Sequence, residues 1–158
     1  MRTMKYGVLA LLFAGAVASA EPERAAVTLA APTPVADFAT WAEGWRGKGA
    51  ATHYVEHSTL ERGGGGHTFD RGVSDAENFA QFMAYQKAFQ EHAKARGMDV
   101  FDTVEITTAH MEGERAALEA LQSDPLVGEV EFLGLVPDDE NALYERGEHQ
   151  PSPFGLVK

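Results

Sequence analysis

Three histidines close together in the sequence are the side chains best suited to chemistry in this chain. His53 and His57 fall on the same face of a predicted strand at 52–60, and His67 falls on the strand that returns from it. Imidazole groups bind metals and carry protons near neutral pH. At a rise of ~3.3 Å per residue, His53 and His57 are about 13 Å apart, too far to share one metal ion. We therefore predict no metal site, and we expect the three histidines to be either ligand-binding residues or polar strand residues.

Among the carboxylates, Asp102 stands out because it interrupts the apolar face of a predicted strand at 98–108. We count Asp102 as a candidate ligand-binding residue, with a solvated strand-end residue as the alternative. No serine lies in a G-x-S-x-G elbow, and the chain has no cysteine. No carboxylate pair has the apolar surround that raises a catalytic pKa. We predict no catalytic residue and no cofactor, and we favour a binding role while leaving enzymatic activity open.

Two tryptophans lie on one face of a predicted short helix at 35–45. Phe38, Trp41, Ala42 and Trp45 follow the spacing i, i+3, i+4, i+7, which is typical of an amphipathic helix. Such a pair either anchors the core or forms the aromatic wall of a pocket. We therefore keep Trp41 and Trp45 as candidate ligand-binding residues.

Residues 1–20 have the three parts of a secretory signal peptide. Arg2 and Lys5 supply the positive start, an apolar stretch covers 6–17, and small residues at 18–20 form the cleavage pattern. The apolar stretch is shorter than the ~20 residues that span a bilayer. We therefore expect an exported protein, periplasmic or secreted, with no membrane attachment after cleavage.

The charge of the chain limits its partners. It has 13 Lys+Arg against 24 Asp+Glu, a formal net charge of −11. Nucleic-acid binding requires a basic surface that neutralises phosphates, so we exclude nucleic acid as the main partner. The partner classes that remain are a protein, a small molecule and a second copy of the chain.

The strongest helix signal covers 74–96. Ser74 and Glu77 form a capping box at its start. An apolar stripe at helical spacing predicts a side that faces the core; its members are Phe79, Phe82, Met83, Gln86, Phe89 and Ala93. Four glycines at 63–66 precede this helix. We predict a hairpin tip there and no phosphate loop, because no helix begins directly after the glycines.

The remaining segments complete the predicted order of elements. Residues 21–34 read as a linker or an edge strand, 111–122 as a helix, and 126–136 as a strand apolar enough for burial on both faces. The tail at 137–158 has little periodicity and reads as flexible. We predict a single α+β domain at 35–136, a ferredoxin-like sandwich with a mainly antiparallel sheet and helices on one face. A homodimer through the sheet is expected if a sheet face needs cover.

The segment at 104–136, VEITTAHMEGERAALEALQSDPLVGEVEFLGLV, resembles the C-terminal half of the subtilase-propeptide inhibitor family. The pattern it shares is a strand, a short helix ending in leucine, a proline, a valine two residues on, and Val-Glu three residues later. In this chain these residues are Leu121, Pro125, Val127, Val130 and Glu131.

The resemblance implies a ferredoxin-like sandwich that acts as an inhibitor or chaperone of subtilisin-type proteases. It implies that the sheet covers two protease helices and that the C-terminal segment enters the active-site cleft. Pro137, Asp138, Asp139 and Leu143 are then the candidate partner-binding residues.

Two other functions stay open at this point. A dimeric α+β barrel protein has the same ferredoxin-like unit and encloses a small-molecule cavity, which the histidine strand and the tryptophan helix could line. A structural or stress-related envelope protein would need neither a cavity nor a protease. The first alternative predicts a pocket where at least two of His53, His57, His67 and Asp102 converge.

Overall fold

A computed structural model describes residues 21–60 and 65–137. Five strands and three helices follow one another, and a short 3₁₀ helix at Leu121–Ser123 follows the third helix. The elements are β1 (Glu23–Pro34), α1 (Val35–Arg46), β2 (Ala50–Leu60), β3 (Gly65–Thr68), α2 (Asp75–Ala95), β4 (Val100–Gly113), α3 (Arg115–Ala120) and β5 (Val127–Leu135). The predicted signal peptide and the tail residues Asp138, Asp139 and Leu143 lie outside the described residues.

The five strands form one antiparallel sheet in the order β3-β2-β4-β1-β5. The crossover from β1 through α1 to β2 leaves a gap of one strand, which β4 fills. The crossover from β4 through α3 to β5 leaves a second gap, which β1 fills. Two interlocking split β-α-β units define the ferredoxin-like sandwich. The predicted α+β fold class is therefore confirmed.

The hairpin strand β3 and the long helix α2 are an insertion into this ferredoxin-like unit. They lie between β2 and β4 in the sequence, and β3 adds a fifth strand at the β2 edge of the sheet. The core unit is thus β1-α1-β2-β4-α3-β5. The segment that resembles the subtilase propeptides, 104–136, supplies most of its second half, β4-α3-β5.

The three helices pack against one face of the sheet, because buried residues from all of them belong to one core. Phe38 of α1, Phe82 of α2 and Leu118 of α3 each contribute a side chain with no exposed surface. The strands supply Ala25, Val27, Leu29, Val55, Val104, Ile106, Ala109 and Met111 from the same face. Burial of these apolar groups is the main stabilising term of the fold.

The start of α2 agrees with the sequence pattern, and its stripe agrees in part. The side chain of Ser74 accepts a hydrogen bond from the Glu77 amide, as an N-cap residue should. Phe79, Phe82, Gln86 and Ala93 are buried. Met83 is 45% exposed and borders a groove between α1 and α2. The core-facing stripe is therefore narrower than its apolar residues predict.

Three segments differ from the sequence prediction. Residues 23–34 form a strand with β4 on one side and β5 on the other, where a linker or an edge strand is predicted. Strand β4 continues to Gly113, so the helix predicted from 111 begins only at Arg115. Strand β5 lies at the sheet edge and is mostly exposed within the chain, where burial on both faces is predicted. None of the described helices is long and apolar enough to cross a membrane.

Candidate functional site

Two of the predicted histidines, His57 and His67, come together under α2. Their rings lie 5.2 and 5.1 Å from the ring of Phe82, measured between centroids. The Nε2 atom of His57 is 3.2 Å from the amide nitrogen of Gln86. An amide nitrogen can only donate, so this arrangement makes His57 Nε2 the acceptor and places the ring proton on Nδ1. The imidazole of His57 thus ties α2 of the insertion to β2.

Burial holds both of these imidazoles in the neutral form. Burial is the largest cause that lowers the pKa of His57, the charge of His67 is the second, and together they bring it to about 4. Burial also lowers the pKa of His67. A buried cation without a compensating charge is unfavourable, which is the physical reason for both shifts. Neither group is set up to be protonated at neutral pH.

His53 lies elsewhere, because β2 contains a bulge. Thr52 pairs with Met111 and Tyr54 pairs with His110, which leaves His53 as an extra residue of β2. Its Nδ1 atom is 4.0 Å from the carboxylate of Glu112. The alternation that predicts His53 and His57 on one face of an unbroken strand is therefore interrupted between them.

Glu112 is the centre of a half-buried charge cluster. Its carboxylate accepts hydrogen bonds from Arg24 Nη2 at 2.7 Å and from Arg71 Nε at 2.8 Å. Burial alone would raise the pKa of Glu112, but the hydrogen bonds from the two arginines lower it below its ordinary value. Because Arg24 belongs to β1 and Arg71 precedes α2, the cluster fastens the insertion to the core sheet.

The two tryptophans share one hydrogen-bond acceptor. Nε1 of Trp41 and Nε1 of Trp45 donate to the same oxygen of Asp124, at 3.0 and 2.9 Å. Burial alone would raise the pKa of Asp124. Hydrogen bonds from the backbone amide of Leu126 and from both indoles outweigh burial and bring this pKa below its ordinary value. The contacts tie α1 to the turn before β5. No sequence pattern marks Asp124 as an acceptor; its only signal is its position one residue before Pro125.

Asp102 does not join the histidines. Its side chain is 98% exposed and lies 3.5 Å from Nζ of Lys94 at the end of α2. This placement matches the alternative of a solvated strand residue. Of the four residues His53, His57, His67 and Asp102, the structure brings only His57 and His67 together around Phe82.

Two adjacent glycines of β3 lie so close to neighbouring rings that a side chain at either position would clash. A Cβ on Gly66 would clash with Oη of Tyr54, and a Cβ on Gly65 would lie 2.8 Å from Cε1 of His57. The rings therefore cover the backbone of β3 from two residues of β2. Part of the predicted glycine hairpin tip is packed strand, while residues 61–64 lie outside the described chain.

A depression of about 470 Å³ opens beside these glycines. It is largely polar, and its lining residues are Tyr54, Glu56, His57, Ser58, Gly65, Gly66 and Thr107. A second groove, of about 390 Å³ and mostly apolar, lies between the first halves of α1 and α2. The described residues contain no group of three His, Asp or Glu side chains that could hold a metal ion.

No described helix packs against the sheet face opposite the core; we call it the open face. Its centre consists of two cross-strand rows that run from β2 through β4 and β1 to β5. One row is Tyr54, His110, Ala26 and Glu131; the next is Glu56, Thr108, Thr28 and Glu129. The rings of Tyr54 and His110 are 5.0 Å apart.

The open face has acidic borders, and between them lie alanine, threonine and histidine side chains. Glu56 on β2 and the pair Glu129 and Glu131 on β5 are exposed, with Thr108 and His110 on β4 and alanine and threonine on β1 between them. Three strand spacings of ~4.8 Å give a distance of about 14 Å between the borders. An α-helix with its side chains is about 10–12 Å across. The strip between the borders is therefore wide enough to receive a helix.

The sequence also contains a pattern that indicates the open face. Each of its strands contributes residues spaced i, i+2: Tyr54 with Glu56, Thr108 with His110, and Glu129 with Glu131 are three of these pairs. What the sequence lacks is the order of the strands, which decides that the pairs lie side by side.

Comparison with family models, with curated proteins and with solved structures finds no match to this chain.

Proposed function

We propose that this chain is an exported binding module that docks a protein partner on its open face, and that the partner is a subtilisin-type protease. The observation that supports the proposal is the strip of alanine, threonine and histidine side chains between Glu56 and the pair Glu129 and Glu131, which no described element covers. In this role the protein acts as an inhibitor or chaperone, and no residue of the module performs catalysis.

The charge of the open face favours a different protein over a second copy of the chain. A two-fold contact through this face would bring the exposed carboxylates of both copies together, and like charges brought together at an interface are unfavourable. A partner with positive charge, or with the positive ends of helices, would instead complement the acidic borders. The predicted homodimer remains a separate prediction, which light scattering of the purified protein would test.

The segment 104–136 adds a second line of support. It resembles the subtilase propeptides, and most of it forms β4-α3-β5, one of the two interlocking β-α-β units. The described chain leaves β5 through Val136, whose amide donates to the carbonyl of Pro22, and reaches the exposed residue Pro137. In the proposed complex Pro137, Asp138, Asp139 and Leu143 approach the protease cleft; the last three lie outside the described residues.

Inhibition of a panel of subtilisin-type proteases by the chain 21–158 tests the proposal. We expect inhibition that is lost in the double variant Glu56→Arg/Thr108→Arg, which changes the charge and size of the open face. The matched control is Glu43→Arg/Gln81→Arg, which places the same charges on exposed positions of α1 and α2. Absence of any complex with every protease, or equal loss in both double variants, would contradict the proposal.

A second candidate function rests on the depression beside His57. His57 and His67 converge next to a polar recess of about 470 Å³, which favours a small-molecule ligand. Dimeric α+β barrel proteins, the alternative raised by the sequence, also bind small molecules. We expect such a ligand to shift the NMR signals of both imidazoles. A library of small aromatic acids and amines that leaves both signals unchanged would count against this candidate.

A further inference from the structure

The two edges of the sheet differ in how well they are protected. At one edge β3 has only four residues. At the other edge β5 has nine residues, pairs with β1 alone among the strands of the described residues, and contains neither lysine nor proline. Short strands, lysine and proline are among the devices that prevent an edge from pairing with another chain, and charged side chains and bulges are others. Strand β5 has two glutamates and two bulges, so only the regular part between the bulges retains the capacity to pair with a segment of complementary charge.

Two bulges limit the part of β5 that can accept a new strand. The register with β1 passes over Gly128 at one end and Leu133 at the other, while 129–132 pair without interruption with Ala25–Thr28. Bulges twist a strand out of the regular ladder. The regular ladder therefore accommodates a partner segment of about four to six residues, and a longer strand would not fit.

The side chains of this ladder define the chemistry of the segment. Glu129 and Glu131 are exposed on the open face, while Val130 and Phe132 pack toward the core on the other face. Leu133 and Leu135, which follow, are 46% and 58% exposed. The guanidinium of Arg115 lies 3.6 Å over the ring of Phe132 and limits access from the helix side.

We propose that the edge of β5 binds an extended peptide segment in which basic and apolar residues alternate. Its basic residues lie beside Glu129 and Glu131, and its apolar residues extend the row of Val130 and Phe132. A second copy of β5 is a poor occupant, because antiparallel pairing centred on Val130 places Glu129 opposite Glu131 of the other copy. The inference goes beyond the proposed function, since it concerns the backbone groups of one strand edge and needs no protease.

An NMR titration of the isotope-labelled chain 21–158 tests this inference. The probe is a blocked hexapeptide that alternates lysine and valine. The control peptides are one that alternates glutamate and valine, and one with three lysines followed by three valines. We expect the alternating basic peptide to lower the rate of amide hydrogen exchange with solvent about tenfold at the edge-facing amides of 129–132, because new backbone hydrogen bonds form. Neither control peptide should do so.

Matched variants separate strand pairing from general attraction of charge. We expect Glu129→Gln/Glu131→Gln to weaken binding of the alternating peptide about tenfold. Glu43→Gln/Glu91→Gln, which removes the same charge from exposed helix positions, should leave it unchanged. Unchanged exchange at 129–132, equal binding of the block peptide, or equal weakening by both double variants would each overturn the inference. These outcomes are independent of protease inhibition, so the two proposals can fail separately.

Discussion

The neutral imidazole of His57 leads to a quantitative prediction about stability and pH. In the folded chain its pKa is lowered from 6.5 to about 4, with burial as the main cause. In the unfolded chain the group has its ordinary pKa. Since the unfolded state binds the proton more readily, protonation favours unfolding. The stability that His57 contributes is fully present above about pH 6.5, falls as the pH drops toward 4, and is lost below that.

The size of the effect follows from the shift. A difference of about 2.5 pKa units corresponds to ~3 kcal/mol in the free energy of unfolding, at 1.36 kcal/mol per unit. His57 borders a depression that opens to solvent, so screening reduces this value. We therefore expect about 1–2 kcal/mol between neutral pH and about pH 4.5. His67, whose pKa is also lowered by burial, adds a change of the same sign.

Urea unfolding of the wild type and of His57→Gln, followed by tryptophan fluorescence, measures this contribution. The difference between their unfolding free energies should shrink by about 1–2 kcal/mol from about pH 7 to about pH 4.5. Comparing the two proteins cancels the titration of the carboxylates. The control is His92→Gln, at an exposed position of α2, which should parallel the wild type. Parallel curves for wild type and His57→Gln, or a His57 pKa near 6.5 by NMR, would refute the reasoning.

Three further predictions concern contacts that hold the elements together. Glu112→Gln should cost about 2 kcal/mol in urea unfolding, because two half-buried arginines lose their shared carboxylate, and an unchanged midpoint would contradict that role. Asp124→Ala should cost about 2–3 kcal/mol and shift the tryptophan emission, since both indole donors lose their acceptor; an unchanged spectrum would argue against the shared bond. Gly66→Ala should lower the melting temperature because its Cβ would meet the Tyr54 hydroxyl, whereas the control Gly44→Ala, with open space in α1, should raise stability by about 0.5–1 kcal/mol. Equal effects of the two glycine substitutions would contradict the packing described for β3.

Local patterns predicted α1 and α2, because caps and helical spacing depend on residues close in sequence. The cap at Ser74 and the spacing from Phe38 to Trp45 each specify a helix without reference to the rest of the chain. The succession of strands and helices then limits the architecture to a layered α+β sandwich. The insertion of β3 and α2 could not be recognised in this way, because it is defined only by the order of strands in the sheet.

The candidate site was predicted less well, because its residues meet through pairing over long distances in the sequence. His110 follows the predicted strand at 98–108, yet β4 continues to Gly113 and places it beside Tyr54. The bulge at His53 breaks the alternation that set the histidine faces. Asp124 acquires its role only when two indole groups of α1 reach it. Periodicity carries no information on the ring contact, the bulge or the shared hydrogen-bond acceptor.

The absence of cysteine allows a direct test of the open face as the docking surface. A single cysteine introduced by Thr28→Cys lies on the open face, and one introduced by Gln81→Cys lies on an exposed position of α2. Each variant is labelled with a maleimide in the presence and absence of an active-site-blocked subtilisin-type protease. We expect the protease to slow labelling at position 28 at least about tenfold and to leave position 81 unchanged. Equal rates at position 28 with and without the protease, or protection confined to position 81, would contradict docking through the open face.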